Sequence, residues 1–321
     1  IPVDPHPQKK GITAAEVILT TLHAGGKFSS KAYQTAGGLH GVGISVVNAL
    51  SSYLMLDIHR DGAHWQQEYS QGTPQTKLQK VAKSSRHGTC VTFTPDPEIF
   101  GVDATFKPSV LYRLIRAKAF LFKGVTIHWR CKGKDRTDEA VPEEEKIHFP
   151  NGLQDFLATL IQERSTWMPV FADDVKTEEG RVEWALAWPT DEQSDVRSFC
   201  NTIPTPQGGT HESGFRNGVA RAVRRYGELV GDKKIADLTA EDILGGGIAL
   251  LSVFIPDPQF QGQTKEKLTT ASATKFVESA VKDRLEHWLT DHRAEAQALM
   301  ARLVERMEER KARRKASEAK R

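Results

Sequence analysis

The sequence predicts an α+β protein of two domains, in which helices pack on one face of antiparallel or mixed sheets. Its length of 321 residues is more than one ordinary domain needs. In the first half, two runs of strand-forming residues are joined by Asp61-Gly62, a pair typical of tight hairpins. In the second half, two strands are separated by a long helix, which indicates a right-handed β-α-β crossover.

The first domain is expected to open with a helix over residues 13–23. Thr13 can cap this helix, Glu16 follows three residues later, and the apolar residues keep helical spacing. Gly25-Gly26 is the expected stop after it. The other elements expected here are helices over 45–50 and 109–122 and strands over 53–60, 64–69, 88–94 and 125–130.

The second domain is expected to follow a charged, acidic stretch over 132–146 that contains Pro142. The strand over 248–255 is apolar except for Ser252, which predicts a central position in its sheet. An apolar stripe along the last helical region, 273–307, is expected to pack in the core. The other elements expected here are helices over 152–161 and 213–230 and strands over 182–188 and 197–202.

Composition and charge are those of an ordinary soluble protein, with 39% hydrophobic and 26% charged residues. No stretch approaches the roughly 20 apolar residues of a membrane helix. Cys90, Cys131 and Cys200 are widely spaced, which argues against a disulfide framework or a zinc site and favours a cytoplasmic location. The net charge of +3 is concentrated at one end, because residues 305–321 contribute +4 and the others −1.

A glycine-rich stretch followed by an apolar helix is the strongest functional signal. Glycine lets the backbone approach a ligand closely, and the helix directs its first amides at the loop, so the pair predicts a phosphate site. A flexible surface loop is the alternative. A Walker loop is excluded because Phe28, and not Ser or Thr, follows Lys27. A dinucleotide fold is excluded because a polar loop, and not a strand, precedes Gly37. The stretch reads Gly37, Gly38, Leu39, His40, Gly41, Val42 and Gly43.

Several stretches together resemble the gyrase-type, or GHKL, ATPases over residues 1 to about 303. They are Ile1-Pro2-Val3-Asp4, residues 22–28, residues 37–43, Asn201-Thr202-Ile203-Pro204 with Gly208-Gly209-Thr210-His211, and Pro256-Asp257-Pro258 with Gln263-Thr264-Lys265. The chain is identified as a member of the ATPase subunits of bacterial type IIA topoisomerases. This implies a Bergerat-type α/β sandwich over 1–146 without its N-terminal part, a ribosomal S5-like transducer domain over 147–300, and a basic helical linker over 301–321 toward an absent TOPRIM domain.

The resemblance implies ATP hydrolysis coupled to dimerisation of the protein. Lys265 is expected to reach the γ-phosphate from the second domain, and Gln263 to orient the attacking water or that phosphate. A solvated surface lysine is the alternative for Lys265. Arg60 is expected at the rim of an inhibitor pocket, or simply exposed on its hairpin. The residues expected to bind ATP are Ile1, Pro2, Ile18, Lys27, Tyr33, Gly37, Gly38, Leu39, His40, Gly41, Val42, Gly43 and Thr89.

The family's general-base glutamate and magnesium-binding asparagine lie upstream of the position that corresponds to Ile1, so neither is assigned to a residue here. ATP and Mg²⁺ are the implied cofactors, with Mg²⁺ bound through the nucleotide and no metal ligand in the chain itself. The chain alone is therefore expected to hydrolyse little ATP, to bind it weakly and to form no stable dimer.

The implied partners are double-stranded DNA, a second copy of the ATPase subunit, which forms a homodimer, and the DNA-cleaving subunit, in the bacterial nucleoid. Residues 207–211, 260–265 and 118–120 favour the ATPase subunit of topoisomerase IV (ParE) over that of gyrase (GyrB). Arg221 and Arg225, on an arginine-rich helix, are candidates for DNA contact. The alternatives are a MutL-like repair ATPase, a heat-shock chaperone of the same superfamily, and a non-hydrolysing dimerisation or DNA-contact module.

Overall fold

A computed structural model of the chain describes residues 1–24, 41–132 and 141–318. The contacts divide it into two compact units, Ile1–Lys107 and Pro108–Arg321. Residues 108–146 therefore fall in the second unit, whereas the first domain was expected to extend to residue 146. Each unit is described by itself.

The first unit is built on one antiparallel sheet. Its strands run in the order β3-β2-β1-β5, and β4 also pairs with β2. In chain order, its elements are α1 Ala14–Thr20, α2 Gly43–Ala49, β1 Ser51–Arg60, β2 Ala63–Ser70, β3 Thr73–Pro74, β4 Gln79–Lys83, β5 Gly88–Pro95 and α3 Pro97–Phe100.

The predicted hairpin joins β1 and β2. Asp61 and Gly62 both have positive φ, 52° and 73°, as a two-residue turn of this kind requires. The turn sets the register in which Arg60 pairs with Ala63, so that Leu54, Leu56 and Ile58 face the core. The predicted cap of α1 is also confirmed, because the Thr13 side chain accepts a hydrogen bond from the Glu16 amide.

The second unit contains a larger sheet, two short two-stranded sheets and most of the helices. In chain order, its elements are α4 Pro108–Leu121, β6 Thr126–Arg130, β7 Glu144–His148, α5 Leu153–Ile161, β8 Phe171–Lys176, β9 Arg181–Ala187, β10 Asp195–Cys200, β11 Ile203–Pro204, α6 Thr210–Val230, α7 Lys233–Ala236, α8 Ala240–Leu244, β12 Ile248–Phe254, β13 Phe260–Gln261, β14 Lys267–Leu268, α9 Ser272–Asp291 and α10 Arg293–Glu318.

The larger sheet has the strand order β11-β10-β12-β9-β8. Strand β12, which is apolar except for Ser252, is buried along its whole length in the middle of this sheet, as predicted. It pairs in parallel with β10, and the long helix α6 connects the two strands. A strand, a crossover helix and a parallel strand are therefore present in the predicted order.

Helices α6 and α9 pack closely along each other. A Cβ added at Gly214 would lie 2.4 Å from the carbonyl oxygen of Thr274, and one at Gly218 would lie 2.8 Å from that of Glu278. Glycine at these two positions thus lets the two backbones approach. The apolar stripe of α9 is confirmed as core, since its central residues are buried against α6 and the sheet. These are Phe276, Val277, Val281, Leu285 and Leu289.

The last helical region is two helices, which meet at His292. One face of helix α10 packs on the hydrophobic core that α6 and α9 share with the larger sheet. Ion pairs also hold the helix to α7, to α8 and to the chain before β10. Its buried residues are Ala296, Leu299, Met300, Leu303 and Met307. The ion pairs join Lys234 to Glu308, Arg310 to Asp242, and Arg302 to Glu192.

Strand β7 was not predicted. The charged stretch treated as a boundary ends in a strand that pairs with β6, with Ile127 opposite Ile147. Only Ile147 of this strand is buried, so no run of alternating apolar residues announced it. None of the helices in the described ranges combines the length and apolar character that a bilayer crossing needs.

Candidate nucleotide-binding site

Part of the glycine-rich stretch falls within the described residues. Residues 25–40 lie outside them, and these include the predicted ligands Lys27, Tyr33, Gly37, Gly38, Leu39 and His40. The end of the stretch leads directly into helix α2. Gly41 has a positive φ of 60°, Val42 is the N-cap, and the helix begins at Gly43.

The start of α2 has the features of a phosphate site. Val42 provides no side-chain cap, and the first intrahelical bond is donated by the Val46 amide to the Val42 carbonyl. The amides of Gly43, Ile44 and Ser45 therefore have no partner in the helix. A Cβ at Gly43 would meet no atom of the described residues within 4 Å, so none of these residues fills the space beside Gly43. Amides that point into open space can receive phosphate oxygens.

Helix α2 is fixed to helix α1, which carries Ile18. The side-chain amide of Asn48 donates to the Leu19 carbonyl oxygen at 3.0 Å, and Asn48 is completely buried. Breaking this buried bond would leave Nδ2 without a partner, as Asn48 Oδ1 already is among the described residues, so the bond holds the two helices in one relative position. Ile18 itself is half-buried and packs against the first unit's core.

The other predicted contacts of the base lie at the beginning of the chain and on β5. The Ile1 amino nitrogen is 3.4 Å from the Thr89 hydroxyl oxygen, and Thr89 is exposed on β5 opposite Ile58. Ile1 is half-buried against the core, whereas Pro2 is exposed. The structure thus brings Ile1 and Thr89 together, and leaves the Thr89 hydroxyl accessible.

Arg60 is the last residue of β1. Its Nε lies 3.0 Å from the carboxylate of the adjacent Asp61, and both side chains are substantially exposed. An exposed pair of this kind is weak and readily exchanged. The guanidinium of Arg60 is therefore available to a ligand.

Sequence reasoning missed a polar cluster on the outer face of this sheet. His64 Nε2 is 2.7 Å from Asp57 Oδ1, His59 Nδ1 is 2.8 Å from the Ser84 hydroxyl, and the two imidazole rings stack 4.3 Å apart. Burial, then the neighbouring His64 and Arg86, lower the pKa of His59. These residues meet only through the strand register, so no local pattern could have indicated the cluster.

Gln263 and Lys265 lie in the turn of the hairpin formed by β13 and β14. Gly262 and Lys265 both have positive φ, 73° and 59°. Gln263 is exposed, Lys265 is half-buried, and neither makes a hydrogen bond or ion pair with another described residue. The Lys265 ammonium is thus uncommitted within the described part of the chain.

The hairpin is held by the loop that precedes α6. The Gln207 amide donates to the Glu266 carbonyl at 3.0 Å, and the Leu268 amide donates to the Gly208 carbonyl at 3.1 Å. A Cβ on Gly209 would lie only 2.3 Å from the Leu268 carbonyl oxygen. Two glycines in sequence therefore permit this close contact. Two stretches far apart in sequence, 207–211 and 263–265, are thus parts of one local structure.

A cleft of about 460 Å³ opens beside this hairpin, at the beginning of α6. Arg216 and Lys267 line it, but the Arg216 guanidinium is bound to the Glu212 carboxylate at 2.9 Å. Its positive charge is thereby partly offset. His211 lies in the buried core behind it, with Nε2 3.0 Å from the Thr205 hydroxyl and Nδ1 without a partner among the described residues. Burial lowers the pKa of His211 to about 4.

The two arginines predicted to contact DNA are exposed on α6. Arg221 is paired with Glu278 at 2.5 Å and Arg225 with Glu228 at 3.0 Å. Both guanidinium groups thus face water while bound to carboxylates, and the structure leaves their predicted role untested.

The chain is similar to known proteins along its whole length. The DNA gyrase B family model matches residues 152–319. The B subunit of DNA topoisomerase 4 from Caulobacter vibrioides is 49% identical over all of this chain and 47% of its own length. The chain belongs to the DNA gyrase B family. The B subunit of DNA gyrase from Campylobacter jejuni is 37% identical over 99% of the chain and 40% of its own length. The chain spans about half the length of the curated relatives it matches.

Solved structures show that the fold is that of the ATPase region of this family. One is the 43K ATPase domain of Thermus thermophilus gyrase B in complex with an aminocoumarin. The match covers 99% of this chain and 81% of the gyrase B chain, at 30% sequence identity and a TM-score of 0.79. The topoisomerase IV ATP-binding domain of Francisella tularensis, in complex with a small-molecule inhibitor, matches 96% of the chain and 81% of its own, at 33% identity and a TM-score of 0.75. The predicted family and fold class are confirmed.

Proposed function

We propose that this chain is the ATP-binding and transducer portion of a type II DNA topoisomerase, in which ATP drives a dimeric clamp for strand passage. The observation that carries the proposal is similarity along the entire chain, at 49% identity, to the B subunit of a topoisomerase IV. The gyrase relative is 37% identical over nearly the same span. This difference favours topoisomerase IV, with gyrase as the alternative.

In this proposal, the nucleotide phosphates bind the amides at the start of α2, and the base lies near Thr89, Ile1 and Ile18. Among the described residues, the space beside Gly43 is open and the first-turn amides have no partner in the helix, which fits a phosphate group. Arg60 lies at the rim, where an inhibitor or a nucleotide can exchange with Asp61. The described residues contain no cluster of three acidic, histidine or cysteine side chains for a metal. Mg²⁺ would enter with the phosphates, where it would neutralise their charge.

We assign Lys265 as the γ-phosphate contact and Gln263 as the group that orients the phosphate or the attacking water. Lys265 has an ammonium without a described partner, on a hairpin that is held in place by Gly208 and Gly209. A cation held ready in this way interacts with ATP more strongly than with ADP, which is the difference a switch needs. No residue of the chain is assigned as general base.

The whole protein is proposed to act as a dimer, with two copies of a DNA-cleaving subunit, on double-stranded DNA in the bacterial nucleoid. Arg221 and Arg225 are proposed to line the DNA cavity. The domain limits at residues 146 and 300 are part of the same proposal, with the transducer following the ATPase domain and a basic helix continuing from it.

The ATP assignment is tested in the full-length polypeptide that contains this chain. Lys265→Ala should lower kcat for ATP hydrolysis about 100-fold, because one charge-stabilising contact is lost in a preorganised site. Lys267→Ala is the matched control, since Lys267 is exposed on the same hairpin and makes no described bond. Equal loss of turnover in both variants, or in neither, would contradict the assignment.

The choice between topoisomerase IV and gyrase is tested with the DNA-cleaving subunit present and two DNA substrates. Linked circles should be separated in the presence of ATP, whereas relaxed plasmid should gain no negative supercoils. Supercoiling of the relaxed plasmid would instead establish the gyrase alternative.

A further inference from the structure

Two consecutive residues after β10 adopt left-handed backbone conformations. Asn201 and Thr202 have φ of 48° and 68°, although neither is glycine and Thr202 is β-branched. Both are almost completely buried, at 1% and 3% exposure. Such a conformation persists only where surrounding contacts hold it.

Asn201 connects this turn to the end of β12. Its Nδ2 donates to the Ile255 carbonyl at 2.9 Å, and its Oδ1 accepts from the Ile255 amide at 3.0 Å. The Asn201 amide also donates to the Val253 carbonyl at 2.8 Å. The side chain therefore acts like an extra strand residue and fixes the point at which the chain leaves the sheet.

Lys118, on α4, holds the other residue of the turn. Its Nζ lies 3.0 Å from the Thr202 carbonyl oxygen and 2.8 Å from the Thr202 hydroxyl. No carboxylate of the described residues pairs with this ammonium. Burial of the charged group lowers the pKa of Lys118. Lys118 is exposed as a whole residue, so its bonds to Thr202 replace only part of the water around an ammonium that no described carboxylate neutralises.

The turn lies one short connection from the candidate γ-phosphate contact. The chain leaves Ile255, passes through Pro256-Asp257-Pro258 and enters β13 at Phe260, and the hairpin turn follows. Prolines stiffen this connection because they restrict φ. The far strand of the hairpin is held separately by Gly208 and Gly209. Gln259, just before the near strand, is bonded to Thr269 and Thr270 just after the far strand, so a displacement at Ile255 would act on the turn between these two points of attachment.

We propose that Lys118 is a positioning residue, which sets the Gln263–Lys265 turn through Thr202, Asn201 and Ile255. The role of the turn in ATP hydrolysis rests on the proposed function. The inference that Lys118 fixes the position of the turn does not. A helix of the same unit thus determines where the Lys265 ammonium stands. Lys118 itself touches no substrate in this arrangement.

The placement is tested by hydrogen–deuterium exchange on this chain without nucleotide. Lys118→Met should raise the exchange of residues 255–266 about tenfold, because the turn that fixes Ile255 is loosened. Lys118→Arg should restore slow exchange, since a guanidinium can donate to both Thr202 oxygens. Arg113→Met, which removes a charge from the same helix at an exposed residue without a described partner, should have no effect.

Two results would overturn the placement. One is unchanged exchange of residues 255–266 in Lys118→Met. The other is faster exchange throughout the second unit, including β9 and the centre of α6, which would make Lys118 a general determinant of the fold. Thr202→Ser keeps both acceptor atoms, and should match the unsubstituted chain.

The catalytic consequence is tested in the full-length polypeptide. Lys118→Met should lower kcat about tenfold with little change in KM, because the contact is misplaced while nucleotide still binds. In a background that carries both Gln263→Ala and Lys265→Ala, Lys118→Met should have no further effect; multiplying effects would show that Lys118 acts elsewhere. If Lys265→Ala alone leaves turnover unchanged, the proposed role of Lys265 fails, while the exchange experiment still decides the placement.

Discussion

Arg310 holds the carboxylate of Asp242 with two nitrogen atoms, Nε at 2.7 Å from Oδ1 and Nη2 at 3.1 Å from Oδ2. Asp242 is 1% exposed, and its carboxylate also completes the capping box of α8 with Thr239. One buried acid therefore both caps a short helix and fastens the last helix to it. Arg310 remains 46% exposed, so water screens part of the attraction.

A double-mutant cycle measures this attachment. Asp242→Asn and Arg310→Met should each destabilise the second unit, with a coupling energy of about 1 kcal/mol in urea denaturation. Lys311→Met, at the neighbouring exposed position, should leave the midpoint unchanged. Additive effects of the two substitutions would show that the pair contributes nothing to stability.

Acid should weaken the same attachment. Burial alone would raise the pKa of Asp242, but the hydrogen bonds from Thr239 and the charge of Arg310 outweigh it, so the pKa lies below the usual value. Stability from this group is therefore complete above pH about 4, the pKa of an unfolded Asp, and is lost as pH falls through the lowered pKa. Asp242→Asn should flatten this acid limb of the urea midpoint, and an unchanged limb would assign it to other carboxylates.

His211 should make stability depend on pH in a higher range. Its pKa is about 4 in the folded chain, because burial disfavours the imidazolium, whereas an unfolded histidine has a pKa of about 6.5. Between these two pKa values, the unfolded state binds a proton that the native state does not bind. Its contribution is complete above pH about 6.5 and is lost as pH falls toward 4, so the free energy of unfolding should drop by about 2 kcal/mol between pH 7 and 5.

Histidine substitutions separate this effect from the other titrations. His211→Gln should be less stable at pH 7, because the buried site is disturbed, yet nearly independent of pH between 7 and 5. His87→Gln, at an exposed position, should retain the full pH dependence. A full dependence in His211→Gln would place the responsible group elsewhere.

Gly209→Ala should dislodge the hairpin that carries Lys265. Gly209 has a φ of 138°, and an added Cβ would lie 2.3 Å from the Leu268 carbonyl oxygen. The expected loss is about 3 kcal/mol in urea denaturation, since backbone on both sides must shift. Gly231→Ala is the control, because Gly231 also has positive φ but open space around it, and should cost about 1 kcal/mol. Equal losses would show that the close contact with Leu268 is unimportant.

The proposed DNA contact predicts a change in salt dependence. Replacing both Arg221 and Arg225 by Ala should weaken duplex binding and reduce the slope of log affinity against log salt by about two. Arg284→Ala removes another exposed, ion-paired arginine of the same unit and should leave the slope unchanged. Fluorescence anisotropy at several salt concentrations decides between them, and identical slopes would exclude these arginines from the interface.

Local patterns predicted a large part of this fold. The β1–β2 hairpin depends on two adjacent turn residues, Asp61 and Gly62, and buried β12 on a run in which only Ser252 is polar, so both were visible in the sequence. Strand β7 was not, because its pairing with β6 decides its conformation more than its charged residues do.

The candidate site divides in the same way. The glycine-rich stretch and the 263–265 turn were recognised as patterns, but their supports were not. The bond from Lys118 to Thr202 joins residues 84 positions apart, and the stacked pair His59–His64 depends on strand register. Such contacts arise from tertiary packing, on which spacing along the chain carries no information.

Helix α10 continues for eight residues beyond Arg310, the residue that forms the ion pair with Asp242. At 1.5 Å per residue, these eight residues extend about 12 Å beyond the ion pair. The Arg302–Glu192 and Lys234–Glu308 pairs and the buried face of α10 hold the same helix. A movement of α8 therefore passes along α10 only as far as these other attachments yield, and a rotation of about 10° would displace residue 318 by roughly 2 Å.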